Sequence, residues 1–173
     1  MYYSLKNFVQ HIFRTLIAVL LPLQIFAQET LSDVLNNHNS NTIPYISVQE
    51  LAMPKSEAII LDAREFTEYK VSHLKKAIHI GYNNFNLNEI TEKIKDKEKF
   101  IVVYCSLGIR SETIAQKLKN EGYTNVFNLY GGIFEWKNNG FKVYNTNEKV
   151  TDSIHAFSKE WAKWLVKGIK VYD

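Results

Sequence analysis

Phe100-Ile-Val-Val-Tyr104 is the strongest strand signal in the chain: five apolar residues, β-branched at the centre, between the charged stretch Lys95–Lys99 and Cys105-Ser-Leu-Gly108. Ala58-Ile-Ile-Leu61 is a second run of this kind, and suits a strand buried on both faces. Ala77-Ile-His-Ile80 and Val126-Phe127 are weaker strand signals. Between them lie helical patterns. Leu87, Ile90 and Ile94 recur at helical spacing in Asn86–Lys95, and Ile114, Ala115 and Leu118 share one face of Ser111–Asn120, with Gly122 as its stop. Ser47 followed by Glu50 has capping-box spacing and predicts a short helix over Val48–Met53, and Gly131-Gly132 opens another through Ile133, Phe134 and Trp136. Strands separated by helices pair in parallel through right-handed crossovers, so the expected architecture is one α/β domain with a parallel sheet flanked by helices.

The first 27 residues read differently. Lys6, His11 and Arg14 form a cationic start, Leu16–Leu23 is an unbroken apolar run, and Ala27 precedes the polar Gln28-Glu-Thr30. That is the order of a secretory signal peptide. The apolar stretch is too short to cross about 30 Å of hydrocarbon as a helix. Residues 1–27 are therefore expected to be a cleaved leader, leaving an exported, periplasmic or secreted protein with no stable membrane insertion. Residues 28–44, rich in Asn, Ser and Thr, read as a polar linker. Ile154, Phe157, Trp161, Trp164 and Leu165 follow three- and four-residue steps, which predicts a C-terminal amphipathic helix within an extension covering 145–173. That helix either packs on the domain or serves as a partner-binding or lid element.

Charge excludes some functions. Lys6 and Arg14 belong to the acid-free leader, and 19 of the chain's 21 basic residues remain to face its 18 acidic ones. A near-neutral body gives little support to nucleic-acid binding. A single cysteine excludes an internal disulfide and any four-thiolate metal site, and no His pair has metal-ligand spacing with a carboxylate. No metal or cofactor is expected.

That cysteine, Cys105, directly follows the strongest strand, where sites form in open α/β sheets. The turn Cys105-Ser106-Leu107-Gly108-Ile109-Arg110 can aim backbone N–H groups inward as an anion nest, and the helix opening near Ser111 adds the positive end of its dipole. Both favour the thiolate, which is the nucleophile. Gly108 permits the tight curvature, and Arg110 supplies a permanent cation. Asp62 and Arg64, at the end of the neighbouring strand, could bound the same pocket. Arg64 is thus a second substrate-binding candidate, while Asp62, Glu65 and Ser111 are candidates for structural support. A structural reading has Asp62 fixing loop N–H groups and Arg64 or Glu65 in an ion pair.

Ile60-Leu-Asp-Ala-Arg-Glu65 with Tyr69, His73-Leu74 with Ala77–Ile80, Cys105–Arg110 with Ser111, and Asn128-Leu-Tyr-Gly-Gly-Ile-Phe-Glu-Trp136 stand in this order along the chain. On these segments residues 45–144 resemble a single domain of the rhodanese, or sulfurtransferase, family. The resemblance implies that Cys105 accepts sulfane sulfur as a persulfide cradled by the N–H groups of residues 106–110, and that His73 is a loop-fixing hydrogen bonder. It implies a small-molecule sulfur donor and a thiol or cyanide acceptor. Related phosphatases and arsenate reductases have one more residue between Cys and Arg, whereas four intervene here. Leu107 and Ile109, in place of another cationic side chain, favour a thiol-borne or uncharged donor over a small dianion. A non-turnover sulfur carrier or redox-sensing module is the alternative. With one thiol in the chain, a persulfide on Cys105 must pass to an outside acceptor or be overoxidised.

Overall fold

The computed structural model describes residues 29–54 and 57–173, so the leader expected over residues 1–27 lies outside the described residues. In chain order the elements are α1 (Leu31–His38), β1 (Tyr45–Ile46), α2 (Val48–Leu51), β2 (Ile59–Asp62), α3 (Phe66–Val71), β3 (Ile78–His79), α4 (Leu87–Lys93), β4 (Ile101–Tyr104), α5 (Ile109–Asn120), β5 (Val126–Leu129), α6 (Gly132–Asn138), β6 (Val143–Tyr144), β7 (Val150–Thr151), β8 (Ser153–His155), a 3-10 turn (Trp161–Trp164) and β9 (Ile169–Val171).

The main sheet has strand order β1-β5-β4-β2-β3, and every pair in it is parallel. β4 is central and wholly buried, because helices cover both faces. Its alternate side chains enter two cores. Ile101 and Val103 meet Ile114, Ala115 and Leu118 of α5 and Ile90 of α4. Val102 and Tyr104 meet Leu74, Ile133, Phe134 and the tail residues Ile154, Ala156 and Leu165. The chain runs outward from β2 to β3, then returns to the opposite side of β2 as β4. The order of strands therefore switches between β2 and β4, and the crevice at their carboxyl ends is where such sheets bind ligands.

Two expectations are corrected. The stretch read as a linker, 28–44, holds α1, opened by a reciprocal capping box between Thr30 and Asp33 and buried through Val34 and Leu35. Its polar composition reflects the solvent face of a short helix whose few apolar residues are all spent inward. The predicted C-terminal amphipathic helix is also absent. β8 pairs in parallel with β9 as a separate two-stranded sheet, and Ala156 N–H donates to the Val171 carbonyl at 2.8 Å. Phe157 then takes φ 64°, which ends any regular run, before the 3-10 turn at Trp161–Trp164. Ile154 and Leu165 are buried as their spacing suggested, but strand pairing with a distant segment takes the backbone that a helix would have used. The extension does pack on the domain, with β8 against α3.

Candidate active site

Cys105 is the free, buried thiol immediately beyond β4. The turn after it is shorter than its sequence suggests, since α5 begins at Ile109 and places Ile109, Arg110 and Ser111 in its first turn. Gly108 precedes that helix at φ 112°, a region where a side chain is strained, and this turns its N–H onto Cys105 Sγ at 3.1 Å. Ser111 Oγ lies 3.5 Å from the same sulfur. The positive end of the α5 dipole faces the sulfur as well.

Three of the loop's carbonyls are drawn into hydrogen bonds with neighbouring segments. Cys105 O accepts from Ile133 N–H at 2.9 Å and Ser106 O from Phe134 N–H at 3.2 Å, both in the first turn of α6. Gly108 O accepts from the side-chain amides of Asn128, at 2.7 Å, and Asn39, at 2.9 Å. With these oxygens engaged elsewhere, the Gly108 and Ser111 N–H groups are directed at the sulfur. This is the anion nest in physical form. Gly132 makes the approach of α6 possible: a Cβ there would collide with the Cys105 carbonyl and come within 2.7 Å of Ser106 O. Because those atoms are backbone and Gly132 sits at φ 54°, Gly132→Ala is expected to destabilise the fold by roughly 2–5 kcal/mol. Denaturant unfolding monitored by far-UV circular dichroism checks this, and the surviving folded protein should show slowed alkylation of Cys105.

Arg110 is fixed by a partner that sequence reasoning missed. Glu68, in α3, takes a bidentate pair from its guanidinium, Nη1 to Oε2 at 2.6 Å and Nη2 to Oε1 at 2.8 Å. Glu68 also accepts from Ser106 Oγ at 3.1 Å and from Glu65 N–H at 3.0 Å, so this buried carboxylate has four donors. Burial alone would push Glu68 up, but Arg110 and these donors hold it below the usual carboxylate range. The signal available in sequence was the spacing of Glu65 and Glu68, which suggests a helix start and not a partner 42 residues away. Asn128 and Asn39, which hold Gly108, gave no signal.

Burial likewise disfavours the Cys105 thiolate. The Arg110 charge and the hydrogen bonds from the Ser111 and Gly108 N–H groups together outweigh it, and the thiol is held below its ordinary value. The sign is that the thiolate persists at pH values where an ordinary cysteine is protonated. Removing the cation with Arg110→Leu should move the acid limb of Cys105 alkylation by iodoacetamide to higher pH, and a profile unchanged from the parent would contradict this electrostatic account.

Cys105, Ser106, Leu107, Ile109 and Arg110 line an open, largely apolar cleft of about 150 Å³, with Phe157 and Trp161 as its remaining wall. Gly108 lies behind the sulfur. Arg64, named above as a substrate-binding candidate, is not in the cleft. It is fully buried, paired with Asp62 at 2.6 Å and donating to the Ser72 carbonyl at 2.6 Å. Its two-residue spacing from Asp62 folds the guanidinium back onto its own strand end. Asp62 accordingly braces Arg64 and accepts from the Tyr104 hydroxyl, and does not reach the cysteine loop. Glu65 accepts from Asn83 N–H, with no ion pair. His73 stacks on Tyr69 at 4.0 Å and joins its backbone to Tyr144, so it fixes β6 and not the cysteine loop. Ser111 Oγ donates its one hydrogen to Asn128 Oδ1 at 2.7 Å, which fixes the hydroxyl beside the sulfur. Among the described residues no group of three or more His, Cys, Asp or Glu is placed to hold a metal, and no helix is long and apolar enough to cross a membrane.

A doubly covered parallel sheet with a nested cysteine at the carboxyl end of its central strand defines a class of α/β domains that work through a thiolate. The family follows from comparison. The model of the rhodanese-like domain matches residues 47–139, more than half of the chain, and the chain belongs to that family. The thiosulfate sulfurtransferase GlpE of Coxiella burnetii is 37% identical over 95 residues, covering 55% of this chain and 85% of that protein. A tRNA uridine(34) hydroxylase of Onion yellows phytoplasma is 34% identical over 99 residues, but these cover only 32% of its length. Among solved structures, a thiosulfate sulfurtransferase from Pseudomonas aeruginosa superposes with a TM-score of 0.55 at 25% identity, covering 71% of this chain and 23% of that one. The BH2092 protein from Bacillus halodurans gives 0.53 at 25% identity, over 68% and 88% of the two chains.

Proposed function

We propose that this protein is a sulfurtransferase that carries sulfane sulfur as a persulfide on Cys105. The observation that carries the reading is the sulfur's setting: a thiol at the floor of an open cleft, 3.1 Å from the Gly108 N–H and beside a guanidinium that favours its ionised form. Membership of the rhodanese-like family and the sulfurtransferase name of a 37% identical relative support it. In the first step the thiolate attacks the outer sulfur of a donor. A new S–S bond forms at Cys105, and the donor's own S–S bond breaks with the electron pair leaving on the departing sulfite or thiolate. In the second step a nucleophilic acceptor takes the outer sulfur, and the pair of the broken S–S bond returns to Cys105. No general base is needed, because the nest and Arg110 already hold the nucleophile ionised. The leader pattern of residues 1–27 supports an exported enzyme.

Phosphoryl transfer fits the site poorly, since both terminal nitrogens of Arg110 are engaged by Glu68 and offer no fork to an oxyanion. A sulfur carrier without turnover is the reading to be separated. Incubation with thiosulfate or glutathione persulfide, followed by intact mass and by thiocyanate formation from cyanide, does so. One added sulfur on Cys105 with turnover is the expected result, loading without turnover makes the protein a carrier, and neither removes the sulfur chemistry altogether.

A further inference from the structure

The wall of the cleft opposite the cysteine loop comes from residues beyond the family match at 47–139. Phe157 follows β8 with its backbone in the left-handed region, which a bulky residue seldom occupies, and its ring is 47% exposed. The conformation is held from behind. His155 is buried, and its Nδ1 accepts from Phe157 N–H at 3.2 Å. The Phe157 ring stands over the Arg110 guanidinium, 4.6 Å from its carbon. Trp161, tethered through its N–H to Ser158 Oγ at 3.3 Å and packed edge-on against His38 at 5.8 Å, completes the wall. A strained, half-exposed aromatic contributes little to the core, and its place is at a site.

The same arrangement leaves Arg110 acting on the sulfur through its field while its terminal donors and its face are already occupied. Arg110 gives its edge to Glu68 and its face to Phe157. A small sulfur oxyanion entering here would lose its hydration, and its oxygens would find the guanidinium edge taken by Glu68 and its face covered by Phe157. An organic group, in contrast, would find Leu107, Ile109, Phe157 and Trp161 around it in a small cavity of about 150 Å³. We propose that Phe157 and Trp161 form a specificity wall that selects sulfane sulfur borne on an apolar organic thiol, a hydrophobic alkyl or aryl persulfide, over sulfur oxyanions. The inference rests on the sulfurtransferase reading and names the substrate class of that site. The step balances without an outside oxidant. Cys105 thiolate attacks the outer sulfur of the neutral persulfide RSSH; the Cys105 persulfide forms with the proton kept on the transferred sulfur, and the electron pair of the cleaved S–S bond leaves on the organic thiolate RS⁻.

The test compares kcat/KM for benzyl persulfide and for thiosulfate, with cyanide as acceptor and the uncatalysed rate subtracted. The parent is expected to favour benzyl persulfide. Phe157→Ala and Trp161→Ala should each lower the ratio of the two values about tenfold, chiefly through KM for the organic donor, the scale of losing one apolar contact surface. Phe157→Tyr, which keeps the ring, should retain the ratio. Trp161→Ala, which leaves the Phe157 backbone untouched, carries the test if Phe157→Ala melts early. A parent that prefers thiosulfate, or a ratio unmoved by both alanine variants, overturns the wall while leaving the sulfurtransferase intact. Absence of thiocyanate with both donors and of sulfur on Cys105 overturns both.

Discussion

Cys105→Ser protein is expected to take up no sulfur from any donor and to form no thiocyanate above the uncatalysed background, while remaining folded. The substitution exchanges one atom in a site that still offers it partners. A hydroxyl oxygen there accepts from Gly108 N–H as the sulfur does, so the stability change should stay within about 1 kcal/mol. What is lost is chemical. The Gly108 and Ser111 N–H groups and the Arg110 charge together bring a thiol below its ordinary value, but an aliphatic hydroxyl is too weak an acid for the same field to ionise. A serine oxygen also forms no stable counterpart of the persulfide. Intact mass before and after incubation with donor, thiocyanate release, and an unfolding curve read the three parts separately. Residual loading in this variant would mean that sulfur is held at another atom, and the mechanism proposed for Cys105 would fall.

Asp62→Ala should cost stability on the order of 3–5 kcal/mol, although Asp62 touches neither the cleft nor the cysteine. Arg64 is fully buried, and Asp62 is its ion-pair partner. Burial disfavours the guanidinium charge, and the Asp62 carboxylate is the chief group that offsets that cost. The Tyr104 hydroxyl, pushed up by burial and by the same carboxylate, would lose its acceptor too. For a chain of this size the loss corresponds to a fall in Tm of roughly 6 to 20 °C. Asp62→Asn, which keeps an acceptor for Arg64 and Tyr104, should fall between the parent and the alanine variant. A loss under about 1 kcal/mol in Asp62→Ala would show that the pair is not the brace for the β2 end.

The parts of this site that could be read beforehand are those whose cause is local. β4 was legible because five successive apolar residues bounded by charges have few alternatives to a buried strand, and Cys105 follows it directly. Gly108 and Gly131-Gly132 were legible because tight turns need residues without a Cβ. Arg64 was misplaced for the opposite reason. A cation at a strand end looks the same in sequence whether it faces a ligand or folds back two residues onto Asp62, and only burial separates the two. The tail misled in a similar way. Ile154, Phe157, Trp161 and Leu165 are spaced alike in an amphipathic helix and in the β8, left-handed residue and 3-10 turn that occur. The choice between these lay with β9, whose backbone claims that of β8.

Sequence alone thus determined the class of the sheet, the strand that ends at the thiol, and the turn that turns donors toward it. Each follows from residues within a few positions of one another, through side-chain period, the absence of a Cβ and the start of a helix. The tertiary structure decided which charge Arg110 keeps and what stands across the cleft from Cys105. Glu68 reaches Arg110 across 42 residues and Phe157 across a longer interval. Pairings of that kind have no local signature, because they exist only when α3, α5 and the C-terminal strands are packed around the same end of the sheet.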